Sequence, residues 1–195
     1  MTNRPQKGSQ ITVDPIRCEE AIRTIKQILL TSTRDLLLFT LGINNGLRVG
    51  DLLQLRWKQL EKAKENFSFI ITERKTGKQN CVLINKAVYP VLNRYRIQTV
   101  HSDDDFVFKS RKGGNNPLRI STVNNMVKSW CRKVNLTGNF GAHTLRKTFG
   151  YMQRTKYGVD IELLAKRFNH SSPSVTMRYV GIVDSEIDLL LRNTI

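Results

Sequence analysis

The sequence predicts a mainly α-helical fold with one small antiparallel β-sheet, an α+β arrangement, on three observations. Apolar residues recur at helical spacing through most of the 195 residues. The runs richest in β-formers, "FSFIIT" (67–72) and "CVLI" (81–84), flank a turn-like segment containing Gly77, which reads as a hairpin. A chain of this length suits a single domain with a sizeable core.

The elements follow in order. In "DPIRCEEAIRTIKQILL", Asp14 is placed to cap a helix with Pro15 at its first position, and Ile22, Ile25, Ile28 and Leu29 share one face. Ser32 can cap "RDLLLFTLGI", apolar nearly all round and therefore a buried helix, which Asn44-Asn45-Gly46 should stop. A short helix is expected over 49–55. The hairpin comes next, its tip carrying Arg74, Lys75 and Lys78, and "FVF" (106–108) is expected to add a third strand. Helices are then predicted at 86–97, at 121–134 behind Ser121, at 143–156, and at 160–168 behind Asp160.

Lys and Arg number 32 against 16 Asp and Glu, a net charge of +16 that divides into +9 before residue 101 and +7 after it. A surface basic throughout attracts polyanions, nucleic acid foremost. No apolar run reaches the roughly 18 residues of a membrane helix, and the polar start lacks a signal-peptide core, so a cytoplasmic protein is expected. Cys18, Cys81 and Cys131 are odd in number and far apart; they are expected to be buried thiols rather than a disulfide framework or a zinc site.

Four boxes hold residues able to do chemistry. "NNGLRVGDLLQLRW" places Arg48 after a glycine turn, with Asp51 three residues on as a possible ion-pair partner. "RKTGK" carries Lys75 on the hairpin tip. "HTLRKTFGY" sets His143 and Arg146 three apart, on one helical face. "NHSSPSVTMRYVGI" sets His170 nine positions before Tyr179, with Asn169 able to end the preceding helix in a left-handed conformation. Val175, Thr176 and Val180 could pack, but Ser171, Ser172, Ser174 and Arg178 argue against deep burial of Tyr179. His101 is read as solvated, and Phe149, Tyr151 and Tyr157 as structural aromatics.

The ordered set Arg48, Lys75, His143, Arg146, His170, Tyr179 resembles the catalytic domain of the tyrosine recombinases, the phage-integrase family, and the resemblance runs from about Pro15 to Tyr179. It implies the catalytic-domain fold of that family over 14–180, preceded by a flexible polar tail (1–13). It implies strand cleavage and rejoining through a 3′-phosphotyrosyl link. Arg48 and Arg146 would hold the non-bridging oxygens with charge-assisted hydrogen bonds, His143 and His170 would complete the cradle, Lys75 would protonate the departing 5′ oxygen, and Tyr179 would be the nucleophile. The bond energy is kept in the link, so no cofactor, metal or nucleotide is expected; "KTGK" lacks the phosphate-loop spacing, and the adjacent Asp103, Asp104 and Asp105 suit a two-metal site poorly.

The expected partner is double-stranded DNA, with self-assembly into a synaptic tetramer. Lys128, Arg132 and Lys133 are candidate phosphate contacts. Competing readings are a non-catalytic DNA-binding relative, such as a regulator or architectural protein, and a type IB topoisomerase. Against the family pattern, Phe168-Asn169 precede His170 where Leu-Gly is usual, and Asp51 stands where Glu is common. Only about 14 residues precede the first helix, so a core-binding domain is naturally absent or was removed. Residues 181–195 are expected to form a helix, with Ile182, Ile187, Leu190 and Leu191 on one stripe, that packs on its own domain or docks on a neighbouring protomer.

Overall fold

The computed structural model describes residues 12–112, 114–181 and residue 192. Of the expected tail over 1–13, residues 1–11 lie outside the described residues, as does most of the expected C-terminal helix over 181–195, including Ile182, Ile187, Leu190 and Leu191.

Helix α1 (Glu19–Ile28) begins four residues later than the Asp14–Pro15 signal suggests. Asp14 is used elsewhere: its backbone N–H donates to the Asn139 carbonyl (2.7 Å), and its carboxylate accepts from Asn139 N–H (2.9 Å). Ile16 N–H donates to Thr148 Oγ1 at 2.9 Å. These long-range bonds hold 14–16 extended against the rest of the domain and override a good local cap. Ala21, Ile25 and Leu29 face the core, whereas Ile28 is exposed.

Helix α2 (Thr33–Asn45) is the buried centre, with Leu36 to Leu41 all inaccessible, and it stops where expected, at Gly46 with φ of 60°. Ser32 sits at its N-cap without a side-chain bond. Gly42 lets the later helix α6 (Ala142–Thr155) come close: a Cβ on Gly42 would lie 2.8 Å from a Leu145 methyl. Helix α3 is a single turn, Val49–Leu52, shorter than the expected span.

Strands β1 (Phe67–Thr72) and β2 (Gln79–Ile84) pair antiparallel, from Phe67 opposite Ile84 to Thr72 opposite Gln79. The sheet described has two strands. Residues 106–108 do not extend it: Val107 and Phe108 are fully buried, but their backbones pair with the loop residues Leu55 and Leu118. β-propensity here reports burial in an extended segment rather than membership of a sheet.

Helix α4 (Tyr89–Gln98) anchors this segment, Tyr95 Oη donating to the Val107 carbonyl at 3.0 Å. Helix α5 (Ile120–Lys133) is capped at Arg119, so Ser121 falls inside its first turn. Its buried Trp130 meets Phe39 of α2 edge-on at 5.9 Å. Helix α7 (Ile161–Phe168) has Asp160 as its cap, accepting from Glu162 N–H at 3.0 Å, and Asn169 ends it in the left-handed conformation with φ of 53°. Helix α8 (Pro173–Val180) was not legible as a helix; Ser172 caps it and Pro173 opens it.

Three further expectations are corrected. Of the cysteines only Cys131 is buried; Cys18 is exposed and Cys81 half-buried on β2. His101 is not solvated but stacks on Trp57, with ring centroids 3.9 Å apart, because the acidic loop folds back over that indole. Tyr157 is exposed and carries no core role.

Candidate active site

Helix α6 supplies the base of the site. Thr144 Oγ1 accepts from Gly141 N–H (3.0 Å) and donates to the Asp14 carbonyl (2.8 Å), which ties the start of α6 to the chain's first described residues. One turn in, Arg146 is 2% exposed. Its Nη1 donates to the Gly46 carbonyl and its Nη2 to the Phe168 carbonyl, both at 2.7 Å, and its guanidinium lies 4.5 Å from the Phe168 ring centroid. Both carbonyls belong to helix ends, so they are acceptors no helical N–H satisfies. Two of its five N–H groups are thereby spent on position, and the Tyr179 phenol is among the groups that interact with the guanidinium. Burial pulls its pKa down to about 10, which leaves it cationic at neutral pH.

Arg48, at the entry to α3, does not pair with Asp51. Its Nη1 meets Glu73 Oε2 at 2.5 Å, and Asp51 instead accepts from Arg74 N–H at 2.9 Å. Glu73 is fully buried. Burial would raise its pKa, but hydrogen bonds from Thr76, Asn80 and Arg48 outweigh that and hold it at about 2. Sequence reasoning missed Glu73. The signal was present: Phe67, Phe69 and Ile71 alternate inward along β1, and residue 73 continues that inward face.

His170 follows the left-handed Asn169 and is half-buried, with Nδ1 2.9 Å from Thr176 Oγ1, so Nε2 is the nitrogen left for a substrate. Burial, reinforced by the charges of Arg146 and Arg48, lowers its pKa to about 4. The ring is neutral at physiological pH. His143 is exposed on the first turn of α6; partial desolvation, then the nearby Arg146, Arg48 and Lys75 charges, lower its pKa as well.

Tyr179 lies on α8 with its ring T-shaped to His170 (5.1 Å) and to Phe168 (5.6 Å), and with Lys147 Nζ 5.1 Å from its centroid. Its hydroxyl is buried and, among the described residues, has no partner in hydrogen-bond geometry, although the Arg146 guanidinium lies close enough to favour the phenolate. As its polar neighbours suggest, the Tyr179 side chain is half-buried rather than deeply buried: Ser171, Ser174 and Arg178 are exposed, while Thr176 and Val180 turn inward. The helical period separates the two sets. Burial raises the phenol's pKa, and the Arg146 and Arg48 charges oppose that rise.

Lys75 stands exposed on the hairpin turn, near enough for its charge to act on His143. Lys128, with His143, Lys147 and Tyr179, lines a cleft of about 860 Å³. Arg132 is exposed one turn further along α5, and Lys133 lines a different hollow beside Trp130. Lys147, which is 7% exposed, is a second cation that sequence reasoning left out. Among the described residues no group of three His, Cys, Asp or Glu side chains is placed to hold a metal ion, and no helix is long and apolar enough to cross a membrane.

The profile of the Phage integrase family matches residues 16–186. The chain belongs to that family. It is 38% identical over 173 residues to "Probable integrase/recombinase YoeC" of Bacillus subtilis, covering 87% of this chain and 90% of that protein. It is 30% identical to the tyrosine recombinase XerC of Caldanaerobacter subterraneus, covering 79% of this chain and 43% of the relative. Apart from YoeC, the chain thus spans about half the length of curated integrase relatives such as XerC and the Tn554 transposase A of Staphylococcus aureus (49%). The fold is that of the XerA recombinase crystal structure, with a TM-score of 0.74 at 19% identity, covering 97% of this chain and 68% of the other. The XerH site-specific recombinase bound to palindromic difH substrate, a post-cleavage complex, gives 0.73 at 20% identity, covering 98% of this chain and 55% of the other. These integrase relatives favour neither a non-catalytic DNA-binding role nor a type IB topoisomerase.

Proposed function

We propose that the protein is a site-specific recombinase that cleaves and rejoins duplex DNA through a covalent 3′-phosphotyrosyl intermediate. The observation that carries this reading is Tyr179 set against the neutral His170 ring, sharing a cleft with His143 and lying within the charge field of Arg48 and of Arg146, the latter clamped at 2% exposure. In the proposed reaction the Tyr179 oxygen attacks phosphorus as the bond to the 5′ oxygen breaks. The phenolic proton passes to Nε2 of His170 or to His143, which at neutral pH are free to accept it. Arg146 and Arg48 stabilise charge on the non-bridging oxygens, and Lys75 gives its proton to the leaving 5′ oxygen.

The same reading makes double-stranded DNA the partner, with Lys128, Arg132 and Lys133 on its phosphates, assembly on DNA as a tetramer, and the cytoplasm as the place of action. The test is a nicked suicide duplex carrying the junction sequences of the element that encodes the protein. Wild type should form a covalent adduct and Tyr179→Phe none. An adduct that survives Tyr179→Phe, or none from wild type on any junction, overturns the proposal. Replacing Lys128 by Ala should shallow the slope of log affinity against log salt by about one.

A further inference from the structure

We propose that Glu73 is a positioning residue that ties Arg48 to the hairpin turn carrying Lys75. The inference rests on the catalytic reading of Arg48 and Lys75 given above.

Glu73 sits where β1 gives way to the turn, its side chain fully buried. Oε2 faces two elements at once: it receives Arg48 Nη1 at 2.5 Å and Thr76 Oγ1 at 2.6 Å. Thr76 is the residue next to Lys75. The backbone makes the same closure, Glu73 N–H donating to the Lys78 carbonyl (2.9 Å) and Gly77 N–H to the Glu73 carbonyl (2.8 Å). Oε1 receives Asn80 Nδ2 at 2.8 Å. Asn80 Oδ1 takes Arg167 Nη1 at 2.6 Å, and Arg167 in turn grips the Asn45 carbonyl through Nε and Nη2. Asn45 exchanges two side-chain bonds with the Leu83 backbone. An unbroken polar chain therefore joins the end of α2, the entry to α3, both strands and the end of α7.

The arrangement has a chemical logic. A buried carboxylate is tolerated only when it is paired and its oxygens are saturated, and this one is. Among the described residues Glu73 is the acceptor for the Arg48 guanidinium, and it takes one Nη while the remaining N–H groups can address a phosphate. A carboxylate holds an arginine in register more tightly than a neutral amide because both partners are charged. At a pKa of about 2 the charge persists through any pH at which cleavage would be assayed. The bond to Thr76 restricts a turn that otherwise lies exposed, so the proton donor and the phosphate holder share one anchor.

Two kinds of measurement test this on the full chain. In arginine-¹⁵N-labelled protein, the Arg48 guanidinium, assigned by its loss in Arg48→Lys, should rotate slowly in wild type and at least about tenfold faster in Glu73→Gln. Equal rotation in both overturns the proposal, with or without DNA. On the duplex that yields a wild-type adduct, Glu73→Gln should slow adduct formation by about 10²-fold, the size expected for one lost charge-assisted contact in a transition state, and Glu73→Asp should restore part of it. A rate within threefold of wild type overturns the proposal.

Thr76→Val cuts the turn alone and covers the case in which Glu73→Gln does not fold. It should slow cleavage about tenfold on the ordinary duplex, as a partial loss of general-acid catalysis. It should slow little on one whose scissile 5′ oxygen is replaced by sulfur, because a thiolate departs without a proton. An equal loss on both duplexes overturns the link to Lys75. Should Arg48 loosen in Glu73→Gln while wild type forms no adduct on any junction, the positioning role stands and the proposed recombinase chemistry falls.

Discussion

The buried base of the site and the hairpin tip are built in opposite ways. Arg146 has its guanidinium locked between the Gly46 and Phe168 carbonyls inside a packed core. Lys75 sits on an exposed turn of a two-stranded sheet whose outer residues Ser68, Ile70 and Leu83 face solvent. The difference teaches where the molecule invests rigidity. A group that must hold a fixed charge distribution gains from preorganisation. In the proposed reaction Lys75 reaches a leaving oxygen and later takes its proton back, and the exposed turn leaves its ammonium unpacked while Glu73 tethers that turn through Thr76.

The largest expected break comes at the base. Arg146→Ala should lower adduct formation by about 10³-fold or more and cost about 2–4 kcal/mol of unfolding free energy, since it removes phosphate donors and orphans two buried carbonyls. Suicide-substrate trapping and urea denaturation read the two effects together. At the tip the two should separate. Lys75→Ala should cost about 10²-fold in cleavage while stability stays within about 0.5 kcal/mol of wild type. A stability loss comparable to that of Arg146→Ala would erase the contrast.

A smaller effect sharpens the packing side. Gly42→Val should destabilise by about 1–3 kcal/mol in a denaturant titration, because α6 approaches α2 too closely there to admit a branched side chain. The remaining effects lie in pH. His170 has a folded pKa lowered to about 4, so the folded state binds fewer protons than the unfolded chain, and stability should fall as pH drops from about 6.5 to 4. Glu73 is likewise depressed, so its contribution is present above about pH 4.5 and lost as pH falls toward 2. In denaturation curves taken across pH, His170→Gln should flatten the upper limb and Glu73→Gln the lower.

Much of this was legible from one-dimensional pattern. The buried α2, the hairpin and the left-handed Asn169 all follow from local rules, because period and chain stereochemistry act over a few residues. What failed did so where distant partners intervened. Asp14 and Pro15 read as a helix start, yet Asn139 and Thr148 claim that segment. "FVF" reads as a strand, yet its neighbours are loops. Arg48 was offered Asp51 at helical spacing and took Glu73, 25 residues away in sequence. The polar serines argued against deep burial of Tyr179, which is half-buried, but only the formation of α8 set its ring against His170 and Phe168.

By itself the sequence determined the family and the excess of basic residues and proposed six chemical side chains, because those depend on residue identity and order. The tertiary structure decided which charges meet. It made Arg146 a buried anchor, left His170 neutral and placed Glu73 beneath Arg48, because burial and opposite charge act through space and scale with distances that no spacing along the chain records.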